Sequence, residues 1–443
     1  MKKNILICDA NHGGLILLDE YSKYTENNLF FYDVYDKLTD RQKENYSTKY
    51  NVRFLSLDEI TSEYTVIAPV HMKPVVDIDY THHEFTSYLV DKHKAKYDWN
   101  MKFIQVTGVK GKTTTVNLIN NILKDSNRLV LTSNALVYYS HDKLKVLDES
   151  LSITPSSIIT CLNIAKNEDI LYEIDYFIIE VSLGVISNGN ISVLTNILED
   201  YPIACKTSLA HIAKESVFNS EVVIADKKSL DSYYNNHNAF SVSLNDKNAD
   251  IYVKDVDYNV SSTTFTVATD DLEFEISCFA LTDFYINNIL FAISVGLILD
   301  VDIENIQSSL KNMKSIPGRT SYKYMEDKLV IEEINPGLNT TSIKESVDNI
   351  SRYDTSFTLI LGGDYGITCE EIDEDKLLNY IKTIKNQNII FTGDLGYSLY
   401  KNIECDKYLF IPDLNDALNY SLEKSGKIIE VIYRTEYSRK IEI

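Results

Sequence analysis

Short apolar runs alternate with amphipathic segments along most of the chain, and this alternation predicts an α/β protein. Near the amino terminus, apolar runs at residues 4–8, 29–32 and 64–70 predict strands, and residues 15–24 predict a helix. Strands that alternate with helices are typical of a Rossmann-like unit. The first 98 residues are therefore expected to form an α/β domain of their own.

A strand, a glycine loop and a helix are predicted to follow one another between residues 103 and 123. Residues 103–106 form an apolar run typical of a buried strand, and Val116, Ile119 and Leu123 recur at helical spacing. The glycines between them, Gly108 and Gly111, therefore lie where a strand enters a helix amino terminus.

The same alternation continues to the end of the chain. Apolar runs at residues 175–182, 193–197 and 222–226 predict strands, and alternating residues from 250 to 281 predict antiparallel hairpins. Strands are also predicted at residues 329–334, 357–362, 388–391 and 427–433. We therefore expect three domains, at residues 1–98, 99–316 and 317–443.

Composition limits the classes of partner. A chain of 443 residues with 44% hydrophobic residues is too long for one core and can bury several. A formal net charge of −22 argues against nucleic acid, whose phosphates are held by basic patches. A small-molecule substrate is expected, and an anionic one would need a local basic pocket.

Targeting and redox signals point to the cytoplasm. The short apolar run before Asp9 is not a signal-peptide core, and no segment approaches the roughly 18 apolar residues of a membrane span. The six cysteines are scattered without a C-x-x-C pair, which favours reduced structural thiols.

The glycine loop has the composition of a phosphate-binding loop. Glycines let backbone N–H groups close around phosphate oxygens, Lys112 adds a positive charge, and the Thr113 hydroxyl can complete a Mg²⁺ shell. The alternative is a glycine turn before an ordinary helix. ATP is the expected nucleotide, and its candidate contacts are Gly108, Val109, Lys110, Gly111, Lys112, Thr113 and Thr114.

Glu180 lies near the end of the apolar strand predicted at residues 175–182. A buried parallel strand has no structural use for an ionised carboxylate at its end, whereas Mg²⁺ beside a triphosphate does. Glu180 and Thr113 are therefore the predicted metal ligands.

Histidines cluster at the ends of the amino-terminal strands. Ligands of open α/β sheets bind beyond the carboxyl ends of strands, so His12, Gly13, His71 and His82 are candidates for one substrate crevice. The alternative is that the glycines only make a turn and that His83 and His93 are solvated. The spacing of the histidines matches no metal signature, so we expect no dedicated metal site here.

Several of these segments together resemble the Mur ligase family in order and spacing. They are the Thr-Gly-x-x-Gly-Lys-Thr-Thr loop, Glu180-Val181-Ser182, Thr195-Asn196-Ile197, Ala213-Lys214 and Pro317-Gly318-Arg319. The resemblance implies an amino-terminal substrate domain, a central P-loop ATPase domain and a carboxyl-terminal Rossmann-like domain. It also implies ATP-dependent phosphorylation of a substrate carboxylate, followed by displacement of the phosphate by a nucleophile.

The resemblance implies further site residues. Lys214 matches a lysine that is often carbamylated to bridge Mg²⁺, and Arg319 matches an arginine that approaches the nucleotide. Tyr201 stands where the family commonly has a histidine, which leaves His211 as a possible metal ligand. Asn288, Asn335 and Asn339 fall in the family's nucleotide-binding segments.

Other segments most resemble the methanogen branch of this family that closes the last ring of the nickel tetrapyrrole coenzyme F(430). They are residues 9–14, 81–83, 199–202 and 335–339, together with His71. An amide-forming ligase of archaeal pseudomurein peptides and a nucleotide-dependent regulatory protein remain as alternatives. Composition and spacing do not distinguish a carbon nucleophile from an amine.

Overall fold

The computed structural model describes residues 3–72, 77–141, 143–198, 200–259, 262–313, 318–353, 356–367, 372–384, 388–403, 408–424 and 426–435. It contains two compact units. The first comprises Met1–Tyr252, Thr269–Leu272 and Asn288–Ile306, and the second comprises Val253–Ala268, Glu273–Asn287 and Gln307–Ile443. Both are mixed α/β structures, as the hydrophobic pattern predicts.

The described amino-terminal residues form a parallel sheet with the order β3-β2-β1-β4-β5. Strands β1 and β4 at its centre are apolar and buried on both faces, whereas β2 is buried on one face only. The strands are β1 Asn4–Cys8, β2 Asn28–Tyr32, β3 Val52–Phe54, β4 Tyr64–Ala68 and β5 Tyr80–Thr81, and the helices are α1 Gly14–Tyr21, α2 Asp40–Tyr50 and α3 His82–Tyr97.

A larger sheet follows in the first unit, with the order β15-β14-β11-β6-β10-β7-β8-β9 among the described residues. It is parallel from β15 to β7 and antiparallel at β8 and β9. The strands, with the small β12–β13 hairpin, are β6 Lys102–Thr107, β7 Asn127–Leu131, β8 Leu136–Ser140, β9 Lys143–Asp148, β10 Tyr176–Glu180, β11 Ile191–Leu194, β12 Pro202–Ile203, β13 Ser208–Leu209, β14 Val222–Asp226 and β15 Phe240–Val242. Its helices are α4 Lys112–Ile122, α5 Ser157–Asn167, α6 Ala210–Lys214 and α7 Lys227–Tyr233.

The two sheets of the first unit share one apolar core. Helix α5 contacts both α1 and α3, and one buried cluster runs from Ile5 to Ile186. Polar contacts seal this boundary: Asn163 Nδ2 donates to Glu20 Oε2 at 3.0 Å, and Ser187 N donates to Ser87 Oγ at 2.9 Å. The residues on either side of position 98 are therefore packed as one body.

The second unit contains a small sheet and a large one. The small sheet has the order β16-β17-β18, with β16 Tyr252–Asp257, β17 Thr263–Ala268 and β18 Glu273–Cys278. The pairing of β17 with β18 is antiparallel, which confirms the predicted hairpin. Two helices follow along the chain, α8 Asp283–Ile298 and α9 Ile303–Lys311.

The large sheet of the second unit has the order β19-β20-β24-β21-β22-β23 in the part described. Among the described strands of this sheet, only β19 and β20 pair in antiparallel fashion, and β24 is buried along its whole length. Its strands are β19 Arg319–Met325, β20 Lys328–Ile334, β21 Thr358–Gly363, β22 Asn388–Thr392, β23 Leu409–Phe410 and β24 Ile428–Arg434, and its helices are α10 Thr340–Ile350, α11 Glu374–Ile381, α12 Gly393–Asn402 and α13 Leu414–Lys424.

Each predicted domain contains one of the three large sheets, at residues 4–81, 102–242 and 319–434. The compact units group residues 253–268 and 273–287 with the carboxyl-terminal sheet, so the exact boundaries remain a prediction. Among the described helices, none has the length and apolar character that crossing a membrane would require.

Candidate active site

The glycine loop lies at the carboxyl end of β6, in the middle of the larger sheet. Strand β6 pairs with β11 on one side and with β10 on the other, so the ends of three parallel strands meet there. Such a point, where the chain leaves the sheet in opposite directions, is the usual ligand site of open α/β sheets. Helix α4 begins at Lys112, so the amino terminus of a helix lies at the same place.

Both loop glycines are required by the space around them. Gly108 has φ of +142°, and a Cβ there would lie 2.0 Å from Thr195 Oγ1. Gly111 has φ of +84°, and a Cβ there would lie 2.3 Å from Asn288 Oδ1. Asn288 thus lies against the loop, where the family resemblance implies a nucleotide-binding asparagine.

The end of β11 holds the loop backbone in place. Val109 N donates to the Asn196 carbonyl at 2.9 Å, and Lys110 N donates to Asn196 Oδ1 at 3.2 Å. In return, Asn196 Nδ2 donates to the Lys110 carbonyl at 3.1 Å, and Thr195 Oγ1 donates to the same carbonyl at 2.5 Å. The sequence marks Thr195 and Asn196 only as part of the resemblance, and their contact with the loop was not predicted.

Lys112 curls over its own loop. Its Nζ donates to the carbonyls of Gly108 at 3.2 Å and Val109 at 3.4 Å. These are the contacts that a P-loop ammonium can exchange for phosphate oxygens when a nucleotide binds. The loop and Lys112 therefore have the geometry expected of a polyphosphate site.

Glu180 and Thr113 meet beside the loop, as predicted. The Glu180 carboxylate is 3% exposed, and its Oε2 accepts from Thr113 Oγ1 at 2.9 Å and from Ser133 N at 3.0 Å. A buried carboxylate oxygen next to a hydroxyl fits the oxygen ligands that Mg²⁺ prefers. Ser133 follows β7, and no motif in the sequence singles it out.

Lys214 ends the short helix α6 and is buried, with 1% of its surface exposed. Burial, and then the positive charge of Lys112, lower the pKa of Lys214 to about 7, although Asp200 opposes the shift. His211, one turn earlier, donates from Nδ1 to Asp200 Oδ2 at 2.6 Å, and its backbone N donates to Oδ1 at 3.0 Å. A role for His211 as a metal ligand remains a prediction.

His12 and His71 lie together at the carboxyl ends of β1 and β4, as predicted. Their ring centroids are 4.2 Å apart and the ring planes meet at 80°. Asp9, fully buried and with φ of +76°, accepts from His12 Nδ1 at 2.5 Å and from Asn11 N at 2.8 Å. Burial would raise the pKa of Asp9, but the hydrogen bonds from His12 and Asn11 lower it overall.

His71 is held in its neutral form. Burial, and then the charge of nearby His12, lower the pKa of His71 to about 4. The ligand atoms of Asp9, His12 and His71 all lie within 4.8 Å of one another. The prediction of no metal site was based on spacing along the chain alone. The fold brings together residues at the ends of two neighbouring strands, and their positions in the sequence do not reveal this proximity.

His82 does not line the crevice, contrary to expectation. It is 1% exposed, and its ring nitrogens face the carbonyls of His12 at 3.3 Å and Cys8 at 3.1 Å. Burial lowers its pKa to about 4, and a neutral ring here supports the turn after β1 from inside. Gly13 is explained by packing, because a Cβ there would lie 1.7 Å from Ser156 Oγ.

The alternative that His83 and His93 are solvated is wrong. Both are buried: His83 Nε2 faces the Ser182 carbonyl at 3.3 Å, and His93 Nδ1 accepts from Trp99 Nε1 at 2.9 Å. Two histidines of helix α3 therefore help to bind the amino-terminal sheet to the rest of the first unit.

The remaining predicted nucleotide contacts belong to the second unit. Asn335 Nδ2 donates to Glu333 Oε2 at 3.2 Å, and Asn339 caps α10 by accepting from Ser342 N at 2.9 Å. Arg319 begins β19, but its side chain lies outside the described residues, as do Glu199 and Pro317. A role for Arg319, Asn335 and Asn339 at the nucleotide remains a prediction.

Two family models match the chain. The model described as "Mur ligase middle domain" matches residues 106–296, and the model described as "Coenzyme F430 synthetase CfbE, C-terminal domain" matches residues 322–436. The first match contains the glycine loop, Glu180 and Lys214. The second contains most of the large sheet of the second unit.

Similar proteins extend over nearly the whole chain. Coenzyme F(430) synthetase of Methanocaldococcus jannaschii is 32% identical over 410 residues, which cover 89% of this chain and 92% of that protein. Coenzyme F(430) synthetase of Methanosarcina acetivorans is 24% identical over 436 residues, covering 89% and 90% respectively.

The fold is also found in solved ligases. The crystal structure of MurF ligase from Thermotoga maritima in complex with ADP has a TM-score of 0.59 and 15% sequence identity, covering 94% of this chain and 93% of that one. This likeness confirms the predicted Mur-ligase-like α/β fold.

Proposed function

Because the chain belongs to the coenzyme F(430) synthetase family, a branch of the ATP-dependent Mur-type ligases, we propose that it closes the final carbocyclic ring of a nickel tetrapyrrole. In this reaction ATP activates a propionate side chain of the seco-acid precursor, and ADP and phosphate are released. The observation that carries the proposal is the 32% identity to one such synthetase over 89% of the chain.

The first step transfers a phosphoryl group to a carboxylate. A carboxylate oxygen of the substrate attacks the γ-phosphorus, the bond from that phosphorus to ADP breaks, and an acyl phosphate results. The N–H groups at the start of α4 and the Lys112 ammonium would hold the phosphates, whose spreading negative charge needs fixed positive partners. Mg²⁺, held by Thr113 and Glu180, would add positive charge beside the same phosphates.

Lys214 could also contribute to the phosphoryl transfer, as a metal ligand. Because its pKa is lowered to about 7, a large fraction of the side chain is a neutral amine near neutral pH. A neutral amine can react with CO₂ to give a carbamate, which replaces a positive charge by a negative one. We propose that Lys214 is carbamylated and then serves as an oxygen ligand beside Glu180, since an ammonium there would repel a metal ion.

The second step forms the carbon–carbon bond. A nucleophilic carbon of the same macrocycle attacks the acyl carbonyl, phosphate leaves, and that carbon loses a proton. His12 and His71 are proposed to line the macrocycle site at the carboxyl ends of β1 and β4. Replacing either by Ala should raise the apparent KM for the macrocycle and leave the KM for ATP nearly unchanged.

ADP release tests the proposal. We expect the wild-type protein to release ADP with the nickel seco-acid and not with a panel of amino acids. Lys112→Ala should remove this turnover while the melting temperature stays near the wild-type value, because Lys112 contacts its own loop rather than the core. ADP release with amino acids and a peptide precursor, but not with the tetrapyrrole, would favour the amide-forming pseudomurein ligase instead.

A further inference from the structure

We propose that Asp9, His12 and His71 bind one divalent transition-metal ion of the zinc or nickel type. One ligand atom of each side chain lies within 4.8 Å of those of the other two. Two imidazole nitrogens and a carboxylate oxygen suit Zn²⁺, Ni²⁺ and Co²⁺, whereas Mg²⁺ and Ca²⁺ prefer oxygen ligands alone.

The three residues come from neighbouring strand ends. Strands β1 and β4 are paired in parallel, so the turn that carries Asp9 and His12 lies beside the segment that carries His71. Asp9 is fully buried while the His12 side chain is 25% exposed, so an ion can enter from the His12 side. The site is thus built on a rigid sheet edge and opens toward solvent.

His12 is oriented as a ligating histidine is. Its Nδ1 donates to Asp9 Oδ2 at 2.5 Å, which leaves the lone pair on Nε2, and that nitrogen faces the Asn11 amide Nδ2 at 3.3 Å. A carboxylate that holds one ring nitrogen fixes the tautomer and makes the other nitrogen a better ligand. Asp9 therefore both orients His12 and adds negative charge to the site.

His71 supplies the observation that points to a ligand. Its Nε2 is buried and has no hydrogen-bond partner among the described residues. Buried polar atoms are normally paired, and an imidazole nitrogen can be satisfied by a metal ion as well as by a hydrogen bond. Bond lengths near 2.1 Å would bring the ligand atoms to about 3.3 Å apart, which side-chain rotations can supply.

A bound ion would add positive charge at the ends of β1 and β4, where the described residues 9–12 and 71 include no lysine or arginine. The carboxylate of Asp9 adds negative charge at this edge, in a chain with net charge −22. If the proposed tetrapyrrole function holds, the ion would be an anchor for a substrate carboxylate. Binding of the ion itself does not depend on that function.

Cobalt titration of the full chain tests the proposal. The protein, stripped with a chelator, is titrated with Co²⁺ in excess Mg²⁺, which fills oxygen-lined sites, and visible d–d absorption is recorded. We expect bands that saturate at one equivalent for the wild type, without the sulfur charge-transfer bands that a site at exposed Cys205 would give. Zn²⁺ should displace the cobalt.

Variants decide whether these residues hold the ion. His71→Ala and His12→Gln should lose the saturable bands, and Asp9→Asn should weaken binding about 10- to 100-fold. His237→Ala is the matched control, because His237 pairs with Glu215 elsewhere on the surface and should bind cobalt as the wild type does. His12 is partly exposed, so His12→Gln is expected to fold even if His71→Ala does not. The proposal is overturned if the wild type shows no saturable bands, or if folded His12→Gln keeps them.

Discussion

Glu180 and Lys214 are ionisable side chains that lie buried near the phosphate loop. Ionised groups are costly to bury unless they are paired or coordinate a ligand. Glu180 accepts hydrogen bonds from Thr113 and Ser133, and Lys214 lies close enough to Lys112 for their charges to repel. Neither placement stabilises the fold by itself, which is why both residues lead to predictions about function.

Replacing Glu180 by Gln should weaken nucleotide binding only when Mg²⁺ is present. The amide keeps the shape of the side chain but removes the charge that would hold the ion. Calorimetric titrations with ATP, with and without Mg²⁺, measure the difference, and Glu63→Gln at an exposed position is the control. An Mg²⁺ dependence equal to that of the wild type would leave Glu180 with a structural role.

Replacing Lys214 by Ala should abolish turnover, and short carboxylates such as acetate or formate should restore part of it. The anion would occupy the space of the proposed carbamate and supply the missing oxygen ligand. Activity measured over a series of carboxylate concentrations tests this, with exposed Lys102→Ala as the control. Loss of activity that no anion restores would make Lys214 a charge partner rather than a carbamate.

The phosphate loop shows how one element depends on its neighbours. Its backbone is held by the end of β11, and its second glycine lies against Asn288 of α8. Both supports come from segments far away in the sequence. A correct loop motif is therefore necessary for the site but not sufficient.

Gly111→Ala should destroy nucleotide binding. A Cβ at this position would meet Asn288 Oδ1 at 2.3 Å, and φ of +84° adds about 1–2 kcal/mol for a residue with a side chain. Gly366→Ala is the matched control, because its φ is +69° and a Cβ there meets nothing within 4 Å. ATP binding and unfolding midpoints are measured for both variants. Backbone strain from a positive φ is common to both, whereas the contact with Asn288 occurs only in Gly111→Ala. Equal ATP binding by both variants would show that the contact with Asn288 does not matter.

Local patterns predicted the elements better than their contacts. Residues 103–115 carry a strand, a loop and a helix whose signals are all local, and the structure has them in that order. The buried positions of His82, His83 and His93 were not predictable, because these polar residues lie on the faces of α3 that the rest of the first unit covers. Ser133 and Asn196 were missed as contacts because strand pairing, not sequence spacing, brings them to the loop.

For the whole molecule, Glu430 makes stability depend on pH. It lies in β24 at the centre of the sheet of the second unit, accepts from Ser346 Oγ at 2.6 Å, and has one buried oxygen without a partner among the described residues. Burial raises the pKa of Glu430 from its ordinary value of 4.5 to about 8. The folded protein therefore keeps a proton between these values that the unfolded chain loses.

The free energy of unfolding should fall as pH rises from about 5 to 8, by up to roughly 1.4 kcal/mol per pH unit from this group. This contribution to stability is fully present below the pKa of Glu430 in the unfolded chain. It is lost as the pH rises to the pKa of Glu430 in the folded protein. Denaturant midpoints of the wild type and Glu430→Gln at pH 5.5 and 7.5 test this, and exposed Glu423→Gln is the control. The Gln variant should lose this part of the pH dependence; an unchanged slope would place the proton elsewhere.

The shared core of the first unit limits how such ligases can be recombined. Helix α5, at Ser157–Asn167, packs on α1 and α3, and Asn163 donates to Glu20 across that boundary. A chimera that exchanged only residues 1–98 with another Mur ligase would set foreign helices against this face and leave voids and clashes. An exchange of the amino-terminal sheet would therefore have to include α5, and a junction that also keeps the contacts of Ser87 and His83 lies beyond Ser187.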